Sequence, residues 1–74
     1  SMGWLRAIRE ALGLTLEAVA TRLGVTRQSV HQLEKAEVSG TLTINRLREA
    51  ANALECDVIV LVLPRQSLTT TVEE

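Results

Sequence analysis

Apolar residues fall at helical spacing in four stretches of this chain and then gather into one unbroken run. Trp4, Leu5, Ile8, Ala11 and Leu12 recur at intervals of three and four, with Arg6, Arg9 and Glu10 between them. That pattern predicts a first helix closing near Gly13, a residue suited to the position just past a helix end. Thr15 is placed to cap a second helix, in which Leu16, Val19, Ala20 and Leu23 form one apolar stripe and which Gly24 ends. Thr26 caps a third helix, expected over residues 27–37. Its inward positions are Val30 and Leu33, while Arg27, Gln28, His31 and Gln32 are left facing outward. Val38-Ser39-Gly40-Thr41 reads as a loop. Thr43 reads as the cap of a fourth helix that buries Ile44, Leu47, Ala51 and Leu54.

The period changes at residue 58. Val58, Ile59, Val60, Leu61, Val62 and Leu63 are all apolar and mostly β-branched, bounded by Asp57 and Pro64, which predicts a strand. Val58, Val60 and Val62 would face one way, and Ile59, Leu61 and Leu63 the other, so both faces need cover. A lone strand cannot satisfy its own backbone, and no second convincing strand exists in the chain. An antiparallel ribbon with a two-fold mate, packed on the helices of both subunits, is the expected solution. The competing reading is a fifth helix. From Arg65 the chain is polar and threonine-rich, read as a flexible tail. The expected organisation is a helical domain over residues 1–55, a dimerising strand within 56–64, and the tail over 65–74.

Size sharpens the expectation of a dimer. A chain of 74 residues is one domain. It buries only roughly 60% of the surface its unfolded form exposes. One cysteine, Cys56, permits no internal disulfide, and with a single histidine, His31, no structural zinc site can be built. No metal and no cofactor are therefore expected, and association remains the common route to added stability. Cys56 is expected as a small buried hydrophobe. Trp4, the only aromatic residue, is expected in the core or an interface. A lone thiol fits a reducing cytosol. Residues 58–63 are far too few to span a bilayer, which needs about 20, and the first residues lack the parts of a secretion signal. A cytoplasmic protein without membrane contact is expected. Ser1-Met2 reads as a cloning remnant ahead of the native sequence.

The net charge of −1 speaks mildly against a nucleic-acid partner. Its distribution is uneven. Up to Lys35 there are five basic residues (Arg6, Arg9, Arg22, Arg27, Lys35) and three acidic ones (Glu10, Glu17, Glu34), whereas the remainder is predominantly acidic.

The stretch from Leu16 to Lys35 has a particular physical logic. Two helices joined by a tight turn must cross closely. Ala20 lets the later helix approach, Gly24 allows a positive φ at the turn, and Val30 and Leu33 clamp one helix on the other. These four positions have the spacing of a helix-turn-helix, whose second helix lies in the DNA major groove. Without that spacing, exposed Arg and Gln on a helix would be an ordinary solvated face.

The sequence TLEAVATRLGVTRQSVHQLEKAE, residues 15–37, resembles the Cro/cI-type (XRE) helix-turn-helix family. The likeness covers roughly residues 4–55. The wider strings GWLRAIREALGLTLE and LREAANALECDVIVLVLP also resemble a narrower group of bacterial regulators called mobile mystery protein A, encoded beside a Fic-domain partner. The resemblance implies a mainly α fold: a four-helix Cro/cI-type domain, here followed by a C-terminal strand that pairs between subunits. It places Arg27, Gln28 and Gln32 at base edges, where Arg suits guanine and Gln suits adenine. It places Thr26, Ser29, Thr15 and Lys35 near phosphates. His31 falls off the reading face. Arg9 and Glu34 match a family pair tying the first helix to the third; the alternative is two independent surface charges. Two departures stand out. Leu16 occupies a position where the family often has a phosphate-binding Gln, and the strand from Val58 stands where a fifth helix is usual.

The functional expectation is a homodimeric, sequence-specific regulator of transcription that binds double-stranded DNA. Repression is the expected mode, with an autoregulating antitoxin as one form of it. The alternative is a protein-interaction module that neutralises a toxin or Fic-type partner. No enzyme is expected, since the chain has neither a catalytic constellation nor a glycine-rich phosphate loop.

Overall fold

Threonines decide where three of the helices begin. Thr15, Thr26 and Thr43 each hold extended backbone, and each hydroxyl accepts a hydrogen bond from the N–H three residues on: Ala18 at 3.0 Å, Ser29 at 3.1 Å and Arg46 at 3.1 Å. The computed structural model describes residues 2–66. Its four helices are α1 (Trp4–Ala11), α2 (Leu16–Leu23), α3 (Arg27–Ser39) and α4 (Ile44–Ala53).

The first helix starts differently. Its preceding residue, Gly3, has no side chain to offer, and the N–H groups of Trp4 and Leu5 donate instead to the Glu37 carboxylate on α3, both at 2.8 Å. Gly3 sits at φ 79°, and a Cβ there would stand 2.9 Å from Glu37 Oε1. The positive φ favours glycine here, and a side chain would also have to displace the Glu37 carboxylate that caps α1. At the other turn that matters, Gly24 takes the left-handed conformation at φ 70°. Its N–H reaches Thr21 O, while Val25 N–H reaches Ala20 O at 3.0 Å. This closure ends α2 and reverses the chain into α3 within three residues. The end of α4 is closed in the same manner, Cys56 N–H to Ala51 O, with Glu55 at φ 58° in the position a glycine more often fills.

All four helices contribute to one core: Leu5 of α1, Val19 and Ala20 of α2, Val30 and Leu33 of α3, and Ala50, Ala51 and Ala53 with the adjoining Leu54 from α4. The alanines of α4 let it lie close beneath the others. Arg22 Nη1 donates to the carbonyl of Ala53 at 2.9 Å, so a helix-end carbonyl gains a partner and α2 is tied to α4. Arg9 makes a second tie. Its Nε and Nη2 donate to Glu34 Oε2 and Oε1 at 2.6 and 3.3 Å, and its Nη1 donates to Leu14 O at 3.0 Å. Both side chains of the ion pair are only 12% exposed. The hydrogen bonds to Glu34 raise the Arg9 pKa above its already high ordinary value, against the opposing effect of burial.

Several sequence expectations are corrected. α3 runs on to Ser39, taking in Val38 and Ser39, because Gly40 supplies the stop and the Ser39 hydroxyl bonds back to Ala36 O. Ile44 is 49% exposed rather than buried. It lies in the first turn of α4, beyond the contact, and the inward stripe is made by Leu47, Ala50, Ala51 and Leu54. Cys56 is half-buried. Trp4 is 76% exposed and forms no part of this chain's core. Residues 58–63 carry no strand. Strand geometry is defined by pairing, and the described residues offer the segment no ladder partner. Ile59, Val60, Leu61, Val62 and Leu63 are exposed. The part of the expected tail beyond residue 66 lies outside the described residues.

Two outcomes follow from this packing. Ala20→Leu should lower the unfolding free energy in urea by about 1–3 kcal/mol through overpacking. Ala11→Leu, at an exposed site on α1, should change it by less than about 0.5 kcal/mol. Arg9→Ala and Glu34→Ala should each cost about 2 kcal/mol. The double variant should fall short of their sum by at least about 0.5 kcal/mol; strict additivity would make them two independent charges.

Candidate nucleic-acid interface

α3 has a narrow inner edge and a wide outer one. Val30 and Leu33 are its buried residues, and Glu34 and Glu37 continue that inner stripe toward α1. The outer edge is polar and exposed: Arg27, Gln28, His31, Gln32 and Lys35. At 3.6 residues per turn, Arg27, His31 and Lys35 climb one side in steps of four, and Gln28 and Gln32 climb beside them.

The two rows face different surroundings. Gln28 and Gln32 line a shallow open groove together with Thr26, Ser29 and Arg46 of α4. Arg27, His31 and Lys35 line a second groove, on the opposite flank of the helix, together with Arg6, Arg9 and Leu16. The three expected base-reading side chains are thus exposed on one helix edge but divided between two flanks. His31, expected to face outward, is exposed one turn after Arg27.

Of the residues expected near phosphates, Thr26 and Ser29 line the first groove, Lys35 the second, and Thr15 neither. Thr26 Oγ1 accepts from Ser29 N–H, and its hydroxyl donates to Ser29 Oγ at 2.9 Å, so the two hydroxyls form one unit at the start of α3. Thr15 caps the start of α2 and is exposed. Lys35 belongs to the second groove. Helix starts of this kind present backbone N–H groups and the positive end of the helix dipole to an anion. Leu16, in the first turn of α2, lines the second groove with an apolar side chain.

Charge is arranged locally. Of the cations lining the second groove, Arg9 is paired with Glu34 and Arg6 with Glu10, which leaves Arg27 and Lys35 without an acidic partner among the described residues. In the first groove Arg46 is the one charged lining residue. Sequence reasoning passed over Arg46. The available signal was its place three residues after the cap Thr43, which puts it in the first turn of α4 beside α3. Among the described residues no group of His, Cys, Asp and Glu could hold a metal ion, and no helix is long and apolar enough to cross a membrane.

A polar, cationic helix edge standing clear of a tight helix–turn–helix is an arrangement able to enter a DNA groove. Comparison with known proteins agrees with the geometry. The family profile described as Helix-turn-helix matches residues 5–61, more than half of the chain. A protein of Pyrobaculum aerophilum named as an HTH-type transcriptional regulatory protein is 48% identical over 40 residues, covering 54% of this chain and 16% of its own length. An uncharacterized HTH-type transcriptional regulator of Methanothermobacter thermautotrophicus is 48% identical over 40 residues, covering 54% of this chain and 58% of its own. The chain therefore spans less than two thirds of either relative. No solved structure matches it. The chain belongs to the helix-turn-helix family, of the XRE type, whose matched relatives carry the names of transcriptional regulators.

Proposed function

We propose that this DNA-binding regulator is a homodimeric repressor that reads a palindromic site with α3. The observation that carries the reading is the exposed polar edge of α3, held out by the turn at Gly24. Arg27 would pair with guanine, and Gln28 and Gln32 with adenine. Thr26, Ser29, Thr15 and Lys35 would meet phosphates and set the register. The names of the relatives support a role in transcription.

The dimer reading rests on residues 58–63. Their backbone groups have no partner among the described residues, and from Ile59 onward their apolar side chains face solvent. Pairing Val58, Ile59, Val60, Leu61, Val62 and Leu63 with the same run of a second copy would satisfy the backbone and cover the side chains together. Val58 and Ile59 line a hollow together with Trp4, Ile8, Leu47 and Ala51, so a ribbon starting there would cover the exposed tryptophan. Two copies of α3 would then be set about 34 Å apart, one turn of DNA. In this organisation residues 1–55 read DNA, 56–64 pair, and 65–74 follow as a tail.

The same exposed segment supports a second reading, in which it receives a toxin or Fic-domain protein and the chain acts as an antitoxin. A regulator that represses its own operon would combine both roles.

Titration against a duplex selected from a random pool should give a dissociation constant in the nanomolar range, with steep weakening as salt rises. Arg27→Ala or Gln28→Ala should cost about 1–3 kcal/mol on the selected site and relax discrimination there. Equal, weak binding to all sequences would remove the reading. For the dimer, light scattering should give twice the chain mass, and truncation before Asp57 should halve it. Emission from Trp4, the chain's only tryptophan, should move to shorter wavelength as concentration rises in the intact protein alone. An intact chain that stays monomeric would overturn the ribbon and leave the segment to a different partner.

A further inference from the structure

Arg46 is the only residue lining the Gln28–Gln32 groove that comes from α4, and the only one there with a formal charge. The four other polar residues lining the groove, Thr26, Gln28, Ser29 and Gln32, belong to α3 or its cap. Its own backbone is held, because Arg46 N–H donates to Thr43 Oγ1. Its guanidinium is turned along α4 to Glu49, Nη1 to Oε2 at 2.5 Å. Both side chains of that pair are well exposed, at 40% and 59%.

Geometry decides what such a cation would meet. An α-helix with side chains is about 10–12 Å across, and the major groove is about 12 Å wide. Once α3 occupies the groove, a side chain projecting beside it from a neighbouring helix meets the groove wall, which is the phosphate backbone. An exposed ion pair three residues apart is weak and easily exchanged. A guanidinium, by contrast, matches phosphate with two parallel hydrogen bonds.

We infer that Arg46 is a phosphate-binding residue latched by Glu49 in the free protein, and that DNA binding transfers its guanidinium from Glu49 to the backbone on the Gln28–Gln32 side of α3. The inference rests on the DNA-reading assignment of α3. It makes Glu49 a residue that weakens binding while touching no DNA.

The experiment uses the full chain, the selected duplex and a scrambled duplex of equal length, each over a salt series. Arg46→Ala should weaken binding to both duplexes alike, by roughly eightfold for each bound subunit at 0.1 M salt and negligibly near 1 M, and should reduce the salt slope by about 0.9 per subunit, about 1.8 for a dimer. Arg46→Lys should keep the slope. Glu49→Gln should tighten binding by about two- to fivefold, and that gain should vanish in an Arg46→Ala background. A gain that persists without Arg46 would be long-range repulsion and would overturn the latch. An unchanged slope in Arg46→Ala, with Arg27→Ala still relaxing discrimination, would overturn the phosphate contact and leave the reading of α3 intact. Wild-type protein that does not distinguish the two duplexes would remove that reading and the inference with it. Circular dichroism and urea unfolding of each variant separate lost contact from lost fold.

Discussion

Everything exposed on α3 depends on how little of it is buried. A helix that presents one whole edge outward can give only a thin stripe to the core, and here that stripe ends after Val30 and Leu33. Two buried aliphatic side chains stabilise by about 1.5–3 kcal/mol each, yet they leave rotation about the helix axis poorly constrained. The rest of the inner stripe consists of carboxylates. Glu34 takes two hydrogen bonds from Arg9, and Glu37 takes two from the first amides of α1. Hydrogen bonds are directional where apolar packing is not. The angle at which Arg27, Gln28 and Gln32 face outward is therefore set by polar contacts to α1, with Arg9 also holding the Leu14 carbonyl of the α1–α2 connection.

Much of this was legible from local signals. A cap and its helix are three residues apart, so Thr15, Thr26 and Thr43 announced their helices, and Gly24 announced the turn. The Arg9–Glu34 bridge was legible only through the family likeness, since nothing in spacing links positions 25 residues apart. The Glu37 clamp on α1 was not legible at all: its donors are backbone amides, which every residue carries. Alanine caused the error on α4. It packs inside or stands outside with little difference in cost, so Ile44 looked the better core residue until Ala50 and Ala53 took the inward positions. Exposure on α3 could be read from its period, but the division of that edge between two grooves depends on α1, α2 and α4 lying alongside.

Residues 58–63 show the opposite limit. Their composition states clearly that they belong against something apolar, but a strand is a relation between two segments. One copy of the chain leaves the relation open, with Leu61 and Leu63 more than three quarters exposed. The core of the single chain is also small, with four alanines among its nine buried hydrophobic residues. On the dimer reading, the segment that sets the spacing of two reading helices would also supply apolar burial that the monomer lacks, so assembly and stability would change together.

The net charge now has a different meaning. A chain at −1 looks unsuited to a polyanion. Four of its nine acids, however, are engaged, and three of these lie on or against α3 or its grooves: Glu34 with Arg9, Glu37 with the amides of α1, Glu49 with Arg46, and, further off, Glu10 with Arg6. Charges paired at contact distance cancel beyond a few ångströms in water and salt. What a strand of DNA would meet along α3 is the remainder, and there Arg27 and Lys35 have no acidic partner among the described residues. A whole-chain sum averages this edge with residues it never presents. The position of unpaired cations on the exposed edge of one helix is the quantity that bears on the partner, and it required the fold before it could be counted.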